Sequence, residues 1–194
     1  MSSNEIKQKI ILTTIECIEQ EGIHGATIRK IADMAGVNVA AINYHFGSKE
    51  QLFEIVMNAT LNESFVQNIN DYEEMWQSDT KKALQLFLED TLEGAINYPN
   101  ITKAHLADTF NKSDYNTNTV RRFNDFLTTL HNLIKLELRS ETKIESKIAV
   151  SQLFASILMI GMMPNLLSEF LNFDLKDKEN QKVFVETLLE NYCK

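Results

Sequence analysis

The chain has 194 residues, 44% of them hydrophobic, with a formal net charge of −8. That is ample material for a sizeable core, and with only six glycines and two prolines the segments between turns must be long and helical. No apolar run reaches the roughly 20 residues a bilayer span needs, and Met1 to Gln8 lacks a signal-peptide layout, so no membrane partner is expected.

Cys17 and Cys193 stand far apart without metal-ligand or redox spacing; two free thiols suit a reducing cytoplasm, and no metal or cofactor is expected. The negative charge argues at first sight against a nucleic-acid partner, but its distribution softens this. Residues 1–50 carry five basic and six acidic side chains, and residues 51–194 carry fourteen and twenty-one. Basic groups and helix N-termini that converge on one face can still hold DNA, through a few well-placed contacts.

In chain order, Ser2 with Glu5 has capping-box spacing, so a first helix is expected from about residue 3. Ile6, Ile10, Ile11, Ile15 and Ile18 stripe it as far as Gln20, and Gly22 and Gly25 end it. Thr27 sits where an N-cap belongs, ahead of a short helix through Ile28, Ile31 and Ala32 that stops at Ala35-Gly36. Asn38 caps a third helix through Tyr44, and Ser48 with Gln51 opens a fourth that runs to about Phe65. Two short helices joined by a glycine-containing turn and braced by a longer one make a helix-turn-helix. Ile28, Ile31, Val37, Ile42 and Phe46 look inward. Left outside are Thr27, Arg29, Lys30, Asn38, Ala40, Ala41, Asn43, Tyr44, His45 and Lys49, a set rich in hydrogen-bond donors and poor in acids, as a phosphate-contacting surface requires.

The string from Thr27 to Leu52 resembles the DNA-binding region of the tetracycline-repressor (TetR) family of bacterial transcriptional regulators. Its best marks are Thr27 ahead of Ile31-Ala32, the turn Ala35-Gly36-Val37, and the block His45-Phe46 with Ser48-Lys49-Glu50 and Leu52. The resemblance covers about residues 7 to 55. It implies a homodimer on a palindromic double-stranded DNA operator, repressing until a small organic effector releases it. By position, Thr27 then resembles the phosphate-binding threonine, Asn38 to Tyr44 the recognition helix, and Lys49 a lysine beside backbone phosphate. Where the family commonly has tyrosine, this chain has Asn43, whose amide could pair with an adenine edge or simply touch phosphate.

Beyond residue 65, Asn68 to Asp79 reads as an acidic loop. A helix over Thr80 to Asn97 is broken by Pro99, and a short helix with Ile101, Ala104 and Phe110 follows. A long helix is expected from Thr119 to about Leu138, and two very apolar ones over Lys143 to Met163 and Lys176 to Tyr192. A helix apolar on nearly every side needs burial on nearly every side. A second subunit would supply it, through an interface of Leu153, Phe154, Ile157, Ile160, Phe184, Leu188 and Tyr192. The candidate ligand-pocket residues are Phe87, His105, Phe110, Phe123, Phe126, His131, Met159 and Met162, apolar and thioether groups with two polar anchors.

The whole is thus expected to be all-α with about nine helices: a helix-turn-helix DNA-binding domain at 1–50 and a ligand-binding and dimerisation domain at 51–194. An enzyme is not expected, since the chain offers no phosphate loop, no nucleophile turn and no metal motif; His105 with Asp108 is a single pair lacking further partners. The rival reading is a helix-turn-helix scaffold that holds another protein, or a regulator without an effector.

Overall fold

A computed structural model describes residues 2–194, the side chains of Val66, Asn68 and Asp108 apart. The chain runs α1 (Ser3–Gly25), α2 (Ile28–Ala35), α3 (Val39–Phe46), α4 (Lys49–Asn62), a π-turn (Glu63–Gln67), α5 (Asn68–Asn70) and α6 (Glu73–Ser78). It continues through α7 (Thr80–Asn97), α8 (Pro99–Lys112), α9 (Asn118–Ile134), α10 (Lys143–Met162), α11 (Ser168–Leu171) and α12 (Lys178–Tyr192). Nine of these have eight residues or more, and no strand forms among the described residues beyond one isolated bridge, Leu138 to Cys193. The all-α expectation of about nine helices holds.

The caps explain the boundaries. Ser2 and Glu5 close a complete capping box on α1. Thr27 Oγ1 accepts from Lys30 N at 3.3 Å, Asn38 Oδ1 from Ala41 N at 2.7 Å, and Ser48 Oγ from Gln51 N at 3.2 Å. Each satisfies an amide that its helix leaves open. Gly36 ends α2 in the left-handed conformation at φ +64°, where a Cβ would be strained.

Several boundaries differ from expectation for physical reasons. The first helix passes Gln20 and carries one more turn to Gly25, interrupted where Gly22 adopts φ +71°. The segment expected as a loop over Asn68 to Asp79 holds α5 and α6, because Trp76 is buried and its Nε1 donates to Ile69 O at 3.0 Å. Pro99 does not only break α7; it opens α8, where its fixed φ fits the first turn and no amide is missed. The helix α9 stops at Ile134, short of Leu138.

Two apolar clusters form. The first joins Ile10, Cys17 and Ile18 of α1 to Ile31, Ala32 and Ala35 of α2 and Ile42 and Phe46 of α3. Leu52 and Val56 of α4 enter it, and so do Ile101 and Ala104 of α8. The second packs α7, α9, α10 and α12 around Phe87, Leu88, Phe126, Leu130, Leu153 and Phe154. The helix α10 has the length and apolarity of a membrane span, with a mean hydropathy of 1.4. Of that apolar window, 44% is packed inside this chain.

The side chains expected at a subunit interface divide by burial. Leu153, Phe154, Ile157 and Ile160 are no more than 2% exposed and pack within this chain, where α10 crosses α7. Phe184, Leu188 and Tyr192 are half-buried and pack against the same cluster. The apolar side chains that α10 leaves outside are on its opposite face: Ile144, Ile148 and Met159, with Ala155 between.

Candidate nucleic-acid interface

The outer face of α2 and α3 carries the polar groups named from the sequence. Thr27, Arg29, Lys30, Asn38, Ala40, Asn43 and Tyr44 are exposed, and Ala41, His45 and Lys49 are half-buried. Tyr44 is 83% exposed, an unusual position for a large ring with no apolar neighbour to cover it. Thr27 uses one oxygen lone pair on its own cap, which leaves its hydroxyl proton outward beside the open amides of the α2 N-terminus. Asn38 commits its carbonyl oxygen to Ala41 and keeps both amide hydrogens free for an outside acceptor.

The cations are positioned by aromatic rings. Lys49 Nζ stands 4.8 Å from the Phe53 ring centroid, and Lys7 Nζ stands 5.8 Å from that of Phe46. His45 lies between Tyr44 and Phe46, at 5.1 Å and 6.3 Å between ring centroids. Lys30 turns away, to Glu21 at 2.8 Å. Both ends of that pair are over 40% exposed, so it is a weak surface bond that a phosphate can replace. Lys7 and Lys9 of α1 were not among the sequence candidates, yet both are exposed, and Lys9 Nζ approaches the Gly36 turn. The motif lies wholly in α2 to α4; only the fold brings these two lysines beside it. No group of His, Cys, Asp and Glu that could hold a metal occurs among the described residues.

The effector candidates do not gather around one space. Phe87 is fully buried in the second cluster, 6.0 Å from Phe126 between ring centroids. Phe123 packs on Phe154 at 5.5 Å. Phe110 is 72% exposed at the end of α8, and Met159 is 49% exposed. Phe126 does line a cavity of about 330 Å³, between the π-turn and α9, with Phe65, Ile69, Asn70, Arg122, Asp125 and Thr129. Met162 belongs to a different cavity. Phe65, at the end of the fourth helix as read from the sequence, was not among the candidates; its ring stacks on Phe126 at 4.7 Å.

The two histidines are engaged inside the protein. Ser146 Oγ donates to Lys143 O at 2.9 Å and therefore accepts from His131 Nε2 at 2.8 Å, tying α9 to the first turn of α10. His105 of α8 lies 2.9 Å by Nε2 from Thr60 Oγ1 of α4. The Thr60 proton points at Val56 O or Met57 O, so His105 Nε2 is the donor, and its buried Nδ1 has no partner. Burial first, and Arg122 second, push the His105 pKa down to about 4, so the ring is neutral. The side chain of Asp108, paired with it in the sequence reading, lies outside the described residues. Arg122 also reaches α4, its Nη1 donating to Asn58 O and its Nη2 to Asn62 Oδ1, each at 3.4 Å. The last turns of α4 are thus held by α8 and α9 together.

The family model described as "Bacterial regulatory proteins, tetR family" matches residues 10–56. The chain is 38% identical over 55 residues to the HTH-type transcriptional regulator BetI 1 of Chromohalobacter salexigens, a match that spans 28% of this chain and only 27% of that protein. To the HTH-type transcriptional regulator AcrR of Shigella flexneri it is 26% identical, over 98% of this chain and 90% of that one. The fold is that of the multidrug binding protein EbrR solved with malachite green, at a TM-score of 0.62, 18% identity, and 94% and 96% coverage of the two chains. Together with the caps, the left-handed Gly36 turn and the exposed face of α2 and α3, these matches show that residues 10–56 are similar to the DNA-binding region of the tetR family of bacterial regulatory proteins.

Proposed function

We propose that the protein is a sequence-specific DNA-binding transcriptional regulator, a repressor that a small organic effector releases from its operator. The observation that carries this reading is the exposed face where Thr27, Asn38, Asn43 and Tyr44 lie together with Lys7, Lys9 and Lys49. Donors and cations converge there although the chain as a whole is acidic. Thr27, Arg29, Lys30, His45 and Lys49 hold phosphate, and Asn38, Ala40, Ala41, Asn43 and Tyr44 meet the groove. The DNA-binding unit is residues 1–50 with the first turns of α4, whose Leu52 and Val56 complete its core; the remainder holds the effector and the second subunit.

The effector enters the 330 Å³ cavity beside Phe65 and Phe126, where Arg122 touches both that space and the end of α4. An occupant that draws Arg122 away changes how α4 is held, which is the differential contact that release requires. The second copy docks on the α10 face of Ile144, Ile148 and Met159, and sets two recognition helices about 34–36 Å apart on one duplex. Binding protein to a random duplex pool at near-physiological salt and sequencing what is retained tests the reading. An enriched palindrome supports it; retention without sequence preference overturns it.

A further inference from the structure

A second and larger cavity, of about 680 Å³, opens where the two apolar clusters meet. Its apolar surface comes from Ile96 and Pro99 at the turn between α7 and α8 and from Met162 and Met163 at the end of α10. Lys103 of α8 and Lys176, just ahead of α12, stand on its walls. Both lysines are exposed, and neither has an ion-pair partner among the described residues. Glu19 of α1 also lines the space, but its carboxylate is already engaged by the backbone amides of Asn100 and Ile101.

We propose that this cavity is a binding site for an amphipathic organic anion, a flexible aliphatic carboxylate. The volume falls within the range of about 300–1,000 Å³ typical of small-molecule sites. Two lysines in the lining outnumber the one carboxylate, Glu19, which is turned to the α8 amides, so the site attracts an anion and repels a cation. The hydrocarbon chain lies on Met162 and Met163, unbranched side chains that adapt to a flexible ligand better than branched ones do. The location gives the site a consequence. Glu19 is at once a wall of the cavity and the residue that fastens α1 to α8, so an occupant presses on the joint between the DNA-binding unit and the rest. That consequence rests on the regulator reading; the binding itself does not.

The test uses the full chain labelled with 13C at its methionine methyls and dodecanoate below its micelle concentration. The expected result is saturable binding by calorimetry, with the Met162 and Met163 methyl signals shifting and those of Met34 and Met75 still. The Lys103→Gln/Lys176→Gln double variant, altered only at exposed positions, is expected to bind at least about tenfold more weakly. Dodecyltrimethylammonium is expected not to bind. Absence of saturable binding, equal affinity in the double variant, equal binding of the cationic analogue, or shifts confined to other methionines would each overturn the proposal. Duplex selection on the same preparation separates the two claims, since a protein can fail either test while passing the other.

Discussion

Glu19 and Asn100 grip each other from both sides: the Glu19 carboxylate accepts from the Asn100 backbone amide at 3.0 Å, while Asn100 Nδ2 donates to the Glu19 carbonyl oxygen at 2.8 Å. The same carboxylate accepts from Ile101 N at 3.1 Å. A negative group thus caps the first turn of α8, and the capped helix carries Ile101 and Ala104 into the core of the DNA-binding unit. Glu19→Ala removes the acceptor from two amides and is expected to cost about 1–3 kcal/mol in urea unfolding. Glu19→Gln keeps one oxygen and is expected to cost less.

His105 makes a pH-dependent contribution at the second joint. Its folded pKa of about 4 lies below the ordinary value of 6.5, so between those values the unfolded chain binds the extra proton and the folded one does not. Stability is then full above pH 6.5 and falls as pH drops towards 4, by up to about 3 kcal/mol. His105→Gln is expected to flatten that part of the curve. Equilibrium unfolding from pH 7 to 4 on both proteins checks it.

The DNA face separates into positions that hold and positions that read. Thr27→Val is expected to weaken all duplexes alike and to cost about 1 kcal/mol of stability through the lost cap. Lys49→Gln is expected to lower the slope of log affinity against log salt by about one. Asn43→Ala is expected to change which base is preferred, with a discrimination loss of about 1–3 kcal/mol. Anisotropy titrations at several salt concentrations distinguish these three behaviours.

The crossing of α7 and α10 depends on a missing side chain. A Cβ at Gly161 would meet the Cβ of Ala95, and Ala95 is backed by its own helix, so neither can yield freely. Gly161→Ala is expected to lose about 1–3 kcal/mol by overpacking, measured by thermal unfolding.

The helix-turn-helix was legible because its signals are local. Thr27, Asn38 and Ser48 cap their helices through side chains that reach only three residues on, and Gly36 supplies the turn by its own backbone freedom. The cavities were not legible, because they depend on which face of each helix turns inward. Phe110 and Met159 look like pocket residues in one dimension and are exposed in three, while Phe65, Arg122 and Lys176 gave no local signal. The same holds for the faces of α10. An apolar helix shows that it needs cover, but only the packing shows that Leu153 and Ile157 receive it from α7 and that Ile148 and Met159 do not.

The central claim is that the face around Thr27, Asn43 and Tyr44 reads a DNA sequence. Its most direct measurement is the affinity of the purified protein for a selected palindromic duplex and for the same bases scrambled, at near-physiological salt. The account predicts at least about a thousandfold preference for the palindrome, reduced in Asn43→Ala and kept in Thr27→Val, which weakens both duplexes alike. Equal affinity for both duplexes, in a protein that is folded and free of ligand, would contradict it.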